Sequence, residues 1–140
     1  MKVNMPVTDR EVMMKEGTIL VTETDPKGII TKANEAFIEI SGFSEKELIG
    51  SNHNLVRHPD MPAEVFADLW KTIKKGNPWV GIIKNRTKNG DYYWVEANIT
   101  PIYKNGRLVS FMSCRYAPTR EQIHEAEALY DKIYSSQMRI

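Results

Sequence analysis

The fold of this chain is decided by one central segment, Asn52-His53-Asn54-Leu55-Val56-Arg57-His58-Pro59-Asp60-Met61-Pro62, and by two later segments, Pro78-Trp79-Val80-Gly81 and Lys84-Asn85-Arg86-Thr87-Lys88-Asn89-Gly90. The central segment is too short and irregular for a long element. Pro62 suits the first turn of a helix, because its fixed φ is helical and no partner is needed for its missing N–H. The residues after it predict the longest central helix, with an apolar face at helical spacing formed by Val65, Phe66, Leu69, Trp70 and Ile73.

Downstream of this helix the pattern predicts three strands, Val80–Thr87, Tyr92–Tyr103 and Leu108–Arg115. Short polar turns at residues 88–91 and at Asn105-Gly106 separate them. Asn-Gly between alternating apolar residues favours a two-residue hairpin, because both positions can adopt a positive φ. We therefore expect an antiparallel meander.

Upstream of the central segment the pattern predicts a hairpin and two short helices. Strands at Thr18–Thr24 and Gly28–Thr31 flank a turn that contains proline and glycine. Apolar residues at helical spacing then predict a helix that ends at Ser41-Gly42. Ser44 and Glu47 form a capping box for a second short helix.

This order of elements predicts an α+β fold, with a five-stranded antiparallel sheet and short helices on one face. We assign residues 1–17 to an N-terminal cap, 18–117 to the domain and 118–140 to a C-terminal amphipathic linker helix. The linker helix has an apolar seam that is expected to continue into a linker or to pack on a neighbour, and it consists of Ile123, Ala126, Tyr130, Ile133 and Tyr134.

Composition narrows the possible partners and compartment. The formal net charge is +1, which provides no global field to attract nucleic acid or an anionic membrane. Basic residues between Lys71 and Gly90 form either a phosphate-binding patch or a solvated face. A single cysteine, Cys114, cannot form an internal disulfide and is typical of a reducing cytoplasm. No apolar stretch approaches the ~20 residues of a membrane span, so we predict a cytoplasmic domain.

The three quoted segments strongly resemble the PAS sensor domain of Aer-type bacterial aerotaxis receptors, from about Thr18 to the final helix. The resemblance implies a single PAS domain that holds FAD non-covalently and is not an enzyme. It implies an input module that senses redox state or oxygen, in which a redox change of the FAD is relayed to a signalling domain. The implied partners are an adjacent HAMP-type domain of the same receptor and, indirectly, the chemotaxis kinase and adaptor; a homodimer is also compatible with the resemblance. The full-length receptor would be tethered to the inner membrane.

The resemblance also implies six cofactor-binding residues: Trp79, Asn85, His53, Asn34, Arg57 and Arg115. An isoalloxazine ring needs apolar and aromatic walls and a few fixed polar groups. Five of the six, all except His53, have another possible role. Trp79 could be a core anchor, Asn85 a strand-end residue and Asn34 a helix cap. Arg57 could bind the diphosphate or bond within its own turn. Arg115 could lie exposed, or it could point inward and stabilise the charge of a reduced flavin.

Of four alternatives, the first is disfavoured by the sequence and the other three stay open. Light-oxygen-voltage photoreceptors share parts of these segments, but their reactive cysteine aligns with His53, and without a thiol the light-driven adduct cannot form. Haem is an alternative because the chain has three histidines, and haem iron requires an axial ligand. A docking or dimerisation module with an empty pocket is another. The same sensor could also feed a histidine kinase or a cyclase.

Overall fold

A computed structural model describes residues 4–137, with side chains through residue 135. Residues 1–3 of the predicted cap and the predicted helix end at Met138 lie outside the described residues. The sheet has five strands in the order β2-β1-β5-β4-β3, and each neighbouring pair is antiparallel. The strands are β1 (Leu20–Thr24), β2 (Ile30–Ala33), β3 (Trp79–Arg86), β4 (Tyr92–Lys104) and β5 (Arg107–Tyr116). The predicted α+β fold with a five-stranded antiparallel sheet is confirmed.

The helices between β2 and β3 pack on one side of this sheet. They are α1 (Glu35–Ser41), α2 (Glu45–Leu48), a 3-10 helix (His53–Val56) and α3 (Ala63–Lys74), and α4 (Arg120–Gln137) follows the last strand. The predicted capping box forms, because the Ser44 side chain accepts from the Glu47 N–H and the Glu47 carboxylate accepts from the Ser44 N–H. Gly42 ends α1 with a left-handed φ of 76°.

Tight turns fix the strand register. Asn105 and Gly106 both have positive φ, at 53° and 76°, as a two-residue hairpin between β4 and β5 requires. The resulting register pairs Thr22 with Ser113 and Ala97 with Arg115. Because side chains alternate along a strand, Ser113 and Arg115 share one face of β5. That face is the inner one, which the helices cover.

The core lies between the inner face of the sheet and the helices. Fully buried side chains come from every layer, and the largest of them are Tyr93, Phe37, Leu20, Ile30, Leu48 and Met61. Their removal from water is the main favourable term for folding, at roughly 25 cal/mol per Å² of apolar surface.

The described part of the N-terminal segment lies against the domain. The Asn4 side chain is buried and donates to the carbonyls of Asn54 and Arg57, at 2.9 and 2.8 Å. Further along, backbone hydrogen bonds join residues 8–12 to residues 90–92, ahead of the β3–β4 ladder. The segment thereby ties the start of β4 to the loop that follows the 3-10 helix.

The α4 helix packs back on the same domain. Ile123, Ala126 and Tyr130 of its predicted seam are buried. The Tyr130 hydroxyl donates to the Ile82 carbonyl on β3. The Tyr134 hydroxyl lies 2.8 and 2.9 Å from the carbonyls of Pro59 and Met61. No helix within residues 4–137 combines the length and the hydrophobicity that a membrane crossing needs.

Candidate ligand-binding site

A cavity of about 100 Å³ lies between the inner face of the sheet, α3 and the segment that carries the 3-10 helix. Helix α3 provides apolar walls, and the strands provide most of the polar groups. We call this space the cavity. Its lining comprises Thr22, Thr24, Gly28, Asn52, His53, Asn54, Val56, Arg57, Phe66, Leu69, Trp70, Ile73, Ile83, Asn85, Ala97, Ile99, Phe111, Ser113 and Arg115.

Charge is unbalanced in the cavity. Among the residues that the structure describes, two arginines line it, and none of the lining residues is an aspartate or a glutamate. Arg115 is only 4% exposed, and its Nη2 donates to the Thr22 hydroxyl at 2.9 Å. Burial lowers the pKa of Arg115 to about 10, so the guanidinium keeps its charge at neutral pH. An uncompensated buried cation favours a ligand that carries negative charge.

His53 is neutral beside this cation. Its Nε2 lies 2.6 Å from Arg115 Nη2 and 3.1 Å from the Thr22 hydroxyl. Burial, and after it the charge of Arg115, lowers the pKa of His53 to about 3. A guanidinium can only donate hydrogen bonds, so Nε2 must accept and the ring proton lies on Nδ1. His53 and Thr22 together hold the guanidinium in place.

Arg57 occupies another part of the lining. Its guanidinium carbon lies 3.8 Å from the centroid of the Phe66 ring, in cation–π geometry. Burial lowers the pKa of Arg57. A backbone bridge between Arg57 and Asn85 ties the segment to β3, so these two predicted residues lie side by side.

Several buried polar atoms around the cavity have no hydrogen-bond partner among residues 4–135. Arg57 Nε, Ser113 Oγ and Arg115 Nη1 belong to lining residues. Tyr93 is buried nearby, and burial raises its pKa to about 12, with Arg115 and Asn85 acting in the opposite direction. Buried polar groups in native proteins are nearly always hydrogen-bonded, so this concentration marks a place for a polar ligand or water.

Aromatic side chains form the apolar part of the lining. The Trp70 ring meets the Phe111 ring edge-on, with their centroids 5.7 Å apart. Gly28 permits this position of the indole, because a Cβ there would lie 3.1 Å from Trp70 Cη2. A flat aromatic ligand could pack against these rings.

Four of the six predicted site residues line the cavity, namely His53, Arg57, Asn85 and Arg115. Arg115 points inward, which was one of the two predicted orientations. Asn34 does not reach the cavity, because its side chain is used locally. Its Oδ1 accepts from the N–H groups of Phe37 and Val21, and its Nδ2 donates to the Ile19 carbonyl. It therefore acts as the helix cap that was the alternative.

The structure does not bring Trp79 to the cavity either. Its indole N–H donates to Asp68 at 2.9 Å, and its ring packs over Gly81 near the start of β3. It lines a second space, of about 560 Å³, between α3, β3 and α4, which we call the α4 groove. The groove is lined by Glu64, Val65, Asp68, Trp79, Val80, Gly81, Ile82, Gln122, Glu125, Ala126, Leu129, Tyr130 and Ile133.

Sequence reasoning missed several lining residues. Phe66 and Trp70 belong to the apolar face whose spacing predicts α3, and that spacing indicates a helix without indicating a ligand site. Thr22 and Ser113 gave no signal, because isolated hydroxyl residues on strands are common. Only the register that pairs them across β1 and β5 makes them neighbours.

Comparisons with known proteins agree with this architecture. A family model described as PAS fold matches residues 30–115. The chain belongs to the PAS fold family. Two solved structures share the fold: a PAS domain from Colwellia psychrerythraea (TM-score 0.65, 23% identity, 73% of this chain and 87% of that one) and the Aureochrome1 LOV domain, a blue-light photoreceptor (TM-score 0.68, 16% identity, 84% and 86%).

Curated relatives are more similar in sequence. The aerotaxis receptor of Escherichia coli (strain K12) is 48% identical over 124 residues, which cover 89% of this chain and 24% of that protein. The nitrogen fixation regulatory protein of Klebsiella pneumoniae is 31% identical over 102 residues, 72% of this chain and 21% of that protein. The chain thus spans about a quarter or less of these relatives.

Proposed function

We propose that this PAS domain is the sensory input module of a bacterial aerotaxis receptor and that it responds to oxygen or redox state through non-covalently bound FAD. Support comes from the 48% identity to the aerotaxis receptor and from the chemistry of the cavity. The chain itself is proposed to bind and report, and not to catalyse turnover.

The observation that carries this proposal is the charge of the cavity. Within the described part of the chain, two guanidinium groups with free donors and no carboxylate line a space that also has aromatic walls. A flavin nucleotide combines an aromatic ring bearing carbonyl oxygens with anionic phosphates, so its chemistry complements this set.

The proposed roles follow from position. The Asn85 amide and Arg115 Nη1 would bind the polar edge of the ring, while Phe66, Trp70 and Phe111 would pack against its faces. Arg57 would bind phosphate oxygens, for which its planar guanidinium is suited. His53 would hold Arg115 through Nε2 and keep its own proton on Nδ1. When bound, FAD supplies reversible electron uptake.

The cavity must expand to admit the ring. Pockets for cofactor-sized ligands measure roughly 300–1,000 Å³, and the cavity measures about 100 Å³. Trp70 and Phe66 are only partly buried and lie on α3, so rotation of these two side chains would provide the room without disturbing the sheet.

We place the output on α4. The loop after Arg57 presents the Pro59 and Met61 carbonyls to the Tyr134 hydroxyl, so a shift of the cavity wall would change how α4 is held. A ligand can bias such an element only by interacting unequally with its two states. The proposed recipients are a HAMP-type domain of the same receptor and, beyond it, the chemotaxis kinase and adaptor. The module would face the cytoplasm in a receptor tethered to the inner membrane.

Haem is less well supported by the site. An axial ligand needs a free imidazole nitrogen. The Nε2 of His53 is engaged by Arg115, and the buried Nε2 of His58 belongs to a residue outside the cavity lining. His124 is exposed on α4.

Purification without added cofactor tests the proposal. We expect a yellow protein with the absorption of oxidised flavin, and mass spectrometry of the ligand released by denaturation should give the mass of FAD and not that of FMN. A Soret band would instead indicate haem. A colourless protein that takes up no FAD on titration would overturn the proposal and favour a docking module.

A further inference from the structure

Ser113 lies on the inner face of β5, two residues before Arg115, and both line the cavity. Across the sheet, Thr22 pairs with Ser113 in register and also accepts a hydrogen bond from Arg115. The three side chains therefore form one cluster at the sheet side of the cavity. Neither the sequence pattern nor the family resemblance singled out Ser113.

Two atoms of this cluster are left without partners. Ser113 Oγ is buried and makes no hydrogen bond with any described residue, and the same is true of Arg115 Nη1. The second terminal nitrogen of the guanidinium, Nη2, is already bonded to Thr22 and His53. Leaving such buried donors unsatisfied costs free energy, and the cavity is where a partner for them can enter.

The missing partner must be a hydrogen-bond acceptor. A guanidinium has donors only, and a serine hydroxyl can donate to the same atom. Because no carboxylate of residues 4–135 lines the cavity, the acceptor is expected to come from a ligand. A carbonyl oxygen that carries partial negative charge on an aromatic ring fits the pair, and its hydrogen bond to the cationic nitrogen is the stronger kind.

We propose that Ser113 is a further ligand-binding residue, and that its hydroxyl and Arg115 Nη1 together bind one carbonyl oxygen of the flavin ring. The assignment rests on the proposed function, because it describes how the same cavity binds the flavin of that proposal. Thr22 is then a positioning residue, since it holds Nη2 and leaves Nη1 free for the ligand.

A matched pair of serine variants tests the assignment. Ser113→Ala removes the hydroxyl from the inner face of β5. Ser110→Ala makes the same change on the outer face, at a serine of similar burial whose hydroxyl is bonded to Glu23 at 3.1 Å. Both variants, and the wild type, are stripped of cofactor and titrated with FAD, and the infrared spectrum of the bound flavin is recorded.

We expect Ser113→Ala to bind FAD about 3- to 10-fold more weakly, the usual effect of one lost hydrogen bond. One carbonyl stretching band of the bound flavin should move to higher frequency, a change that a merely structural role would not produce. Ser110→Ala should bind FAD within about twofold of the wild type and leave this band in place.

Two kinds of failure can be told apart. If the wild type binds FAD and Ser113→Ala matches it in affinity and in carbonyl frequency, or if Ser110→Ala shows the same losses, the assignment of Ser113 is overturned while the proposed function stands. If the wild type takes up no FAD at all, the proposed function fails and the assignment fails with it.

Discussion

The cavity and the α4 groove are two spaces in one small domain, and they differ in how their polar groups are satisfied. The groove is larger, at about 560 Å³ against about 100 Å³. Yet its buried polar groups are paired: the Trp79 indole with Asp68, and the Tyr130 hydroxyl with the Ile82 carbonyl. In the cavity, three lining atoms are buried without a partner among the described residues. Buried donors without a partner, and not volume, therefore identify the cavity as the candidate ligand site. The α4 groove is only a space between packed elements.

Among substitutions that test the difference between the two spaces, Arg115→Met should have the largest effect on FAD binding. It replaces the buried cation by an apolar side chain of similar length. We expect FAD affinity to fall about 10- to 100-fold, because hydrogen bonds to charged groups contribute roughly 1.5–3 kcal/mol. The reduction potential of any bound flavin should become more negative, since the positive charge is gone. The ligand-free protein should keep its stability, because the Thr22 hydroxyl can still bond His53.

The matched control is Arg107→Met, at an exposed position on the same strand. It should leave FAD affinity and potential unchanged. An Arg115→Met protein that binds FAD as the wild type does, at an unchanged potential, would show that the charge of the cavity does not serve the ligand.

A second test concerns the neutral state of His53. Its pKa is lowered from 6.5 to about 3, so the folded state binds fewer protons than the unfolded state between these values. Stability contributed by the neutral ring is therefore complete above pH 6.5 and is lost as the pH falls toward 3. His53→Gln keeps an acceptor for Arg115 but does not titrate. As the pH falls through this window, the free energy of unfolding of the wild type should decrease by up to ~1.4 kcal/mol more per pH unit than that of His53→Gln.

Denaturant unfolding of the ligand-free proteins at several pH values measures this difference. His58, whose pKa is lowered to about 4 mainly by burial, contributes in the same direction to both proteins and cancels. His124→Gln, on the exposed face of α4, should follow the wild type. Parallel curves for wild type and His53→Gln would contradict the burial of a neutral ring beside Arg115.

A smaller effect, on stability and on the exchange of α4 amides, is expected from a substitution where α4 contacts the loop that follows Arg57. Tyr134→Phe removes the hydroxyl that bonds the Pro59 and Met61 carbonyls, and we expect a loss of about 1 kcal/mol. Backbone amides of α4 should then exchange with solvent faster than in the wild type. Tyr116→Phe, at an exposed position of β5, serves as the control. Equal exchange in Tyr134→Phe and wild type would remove α4 from the proposed relay.

The smallest effect on FAD affinity should come from a substitution in the α4 groove. Trp79→Phe keeps an aromatic ring but removes the N–H that bonds Asp68, which should cost about 0.5–1.5 kcal/mol of stability. We expect FAD affinity to stay within about twofold of the wild type. A tenfold loss would instead support the role that family resemblance implied for Trp79, and would erase the difference between the two spaces.

Local chemistry made most of the fold predictable. The Asn105-Gly106 hairpin and the Ser44–Glu47 capping box depend on neighbouring residues alone, and each appears where it was predicted. The helix predicted to open with Pro62 begins one residue later, at Ala63, and Pro62 is its N-cap with an extended ψ of 141°. For α4, the apolar seam was visible, but the sequence did not specify the surface against which it packs. That surface depends on contacts between residues far apart in the chain.

The site was only partly predictable for a related reason. The sequence predicts His53 and Arg57 as site residues because both belong to one distinctive local segment. Trp79 stands at the start of a strand, where an aromatic ring can turn toward either end, and here the Asp68 carboxylate on α3 holds it in the groove. Ser113 emerged only from the register of β1 and β5, because an unsatisfied hydroxyl is a property of its surroundings and not of its neighbours in sequence.

The hydrogen bonds of Asn4 have a practical consequence. Its amide donates to two carbonyls of the segment that carries His53 and Arg57, so it supports one wall of the cavity. A shortened variant that lacks Asn4, or one with a bulky affinity tag fused directly ahead of it, would lose these two hydrogen bonds. If the cavity holds FAD as proposed, such variants should release it on dialysis and lose their colour, while protein that retains Asn4 should stay yellow.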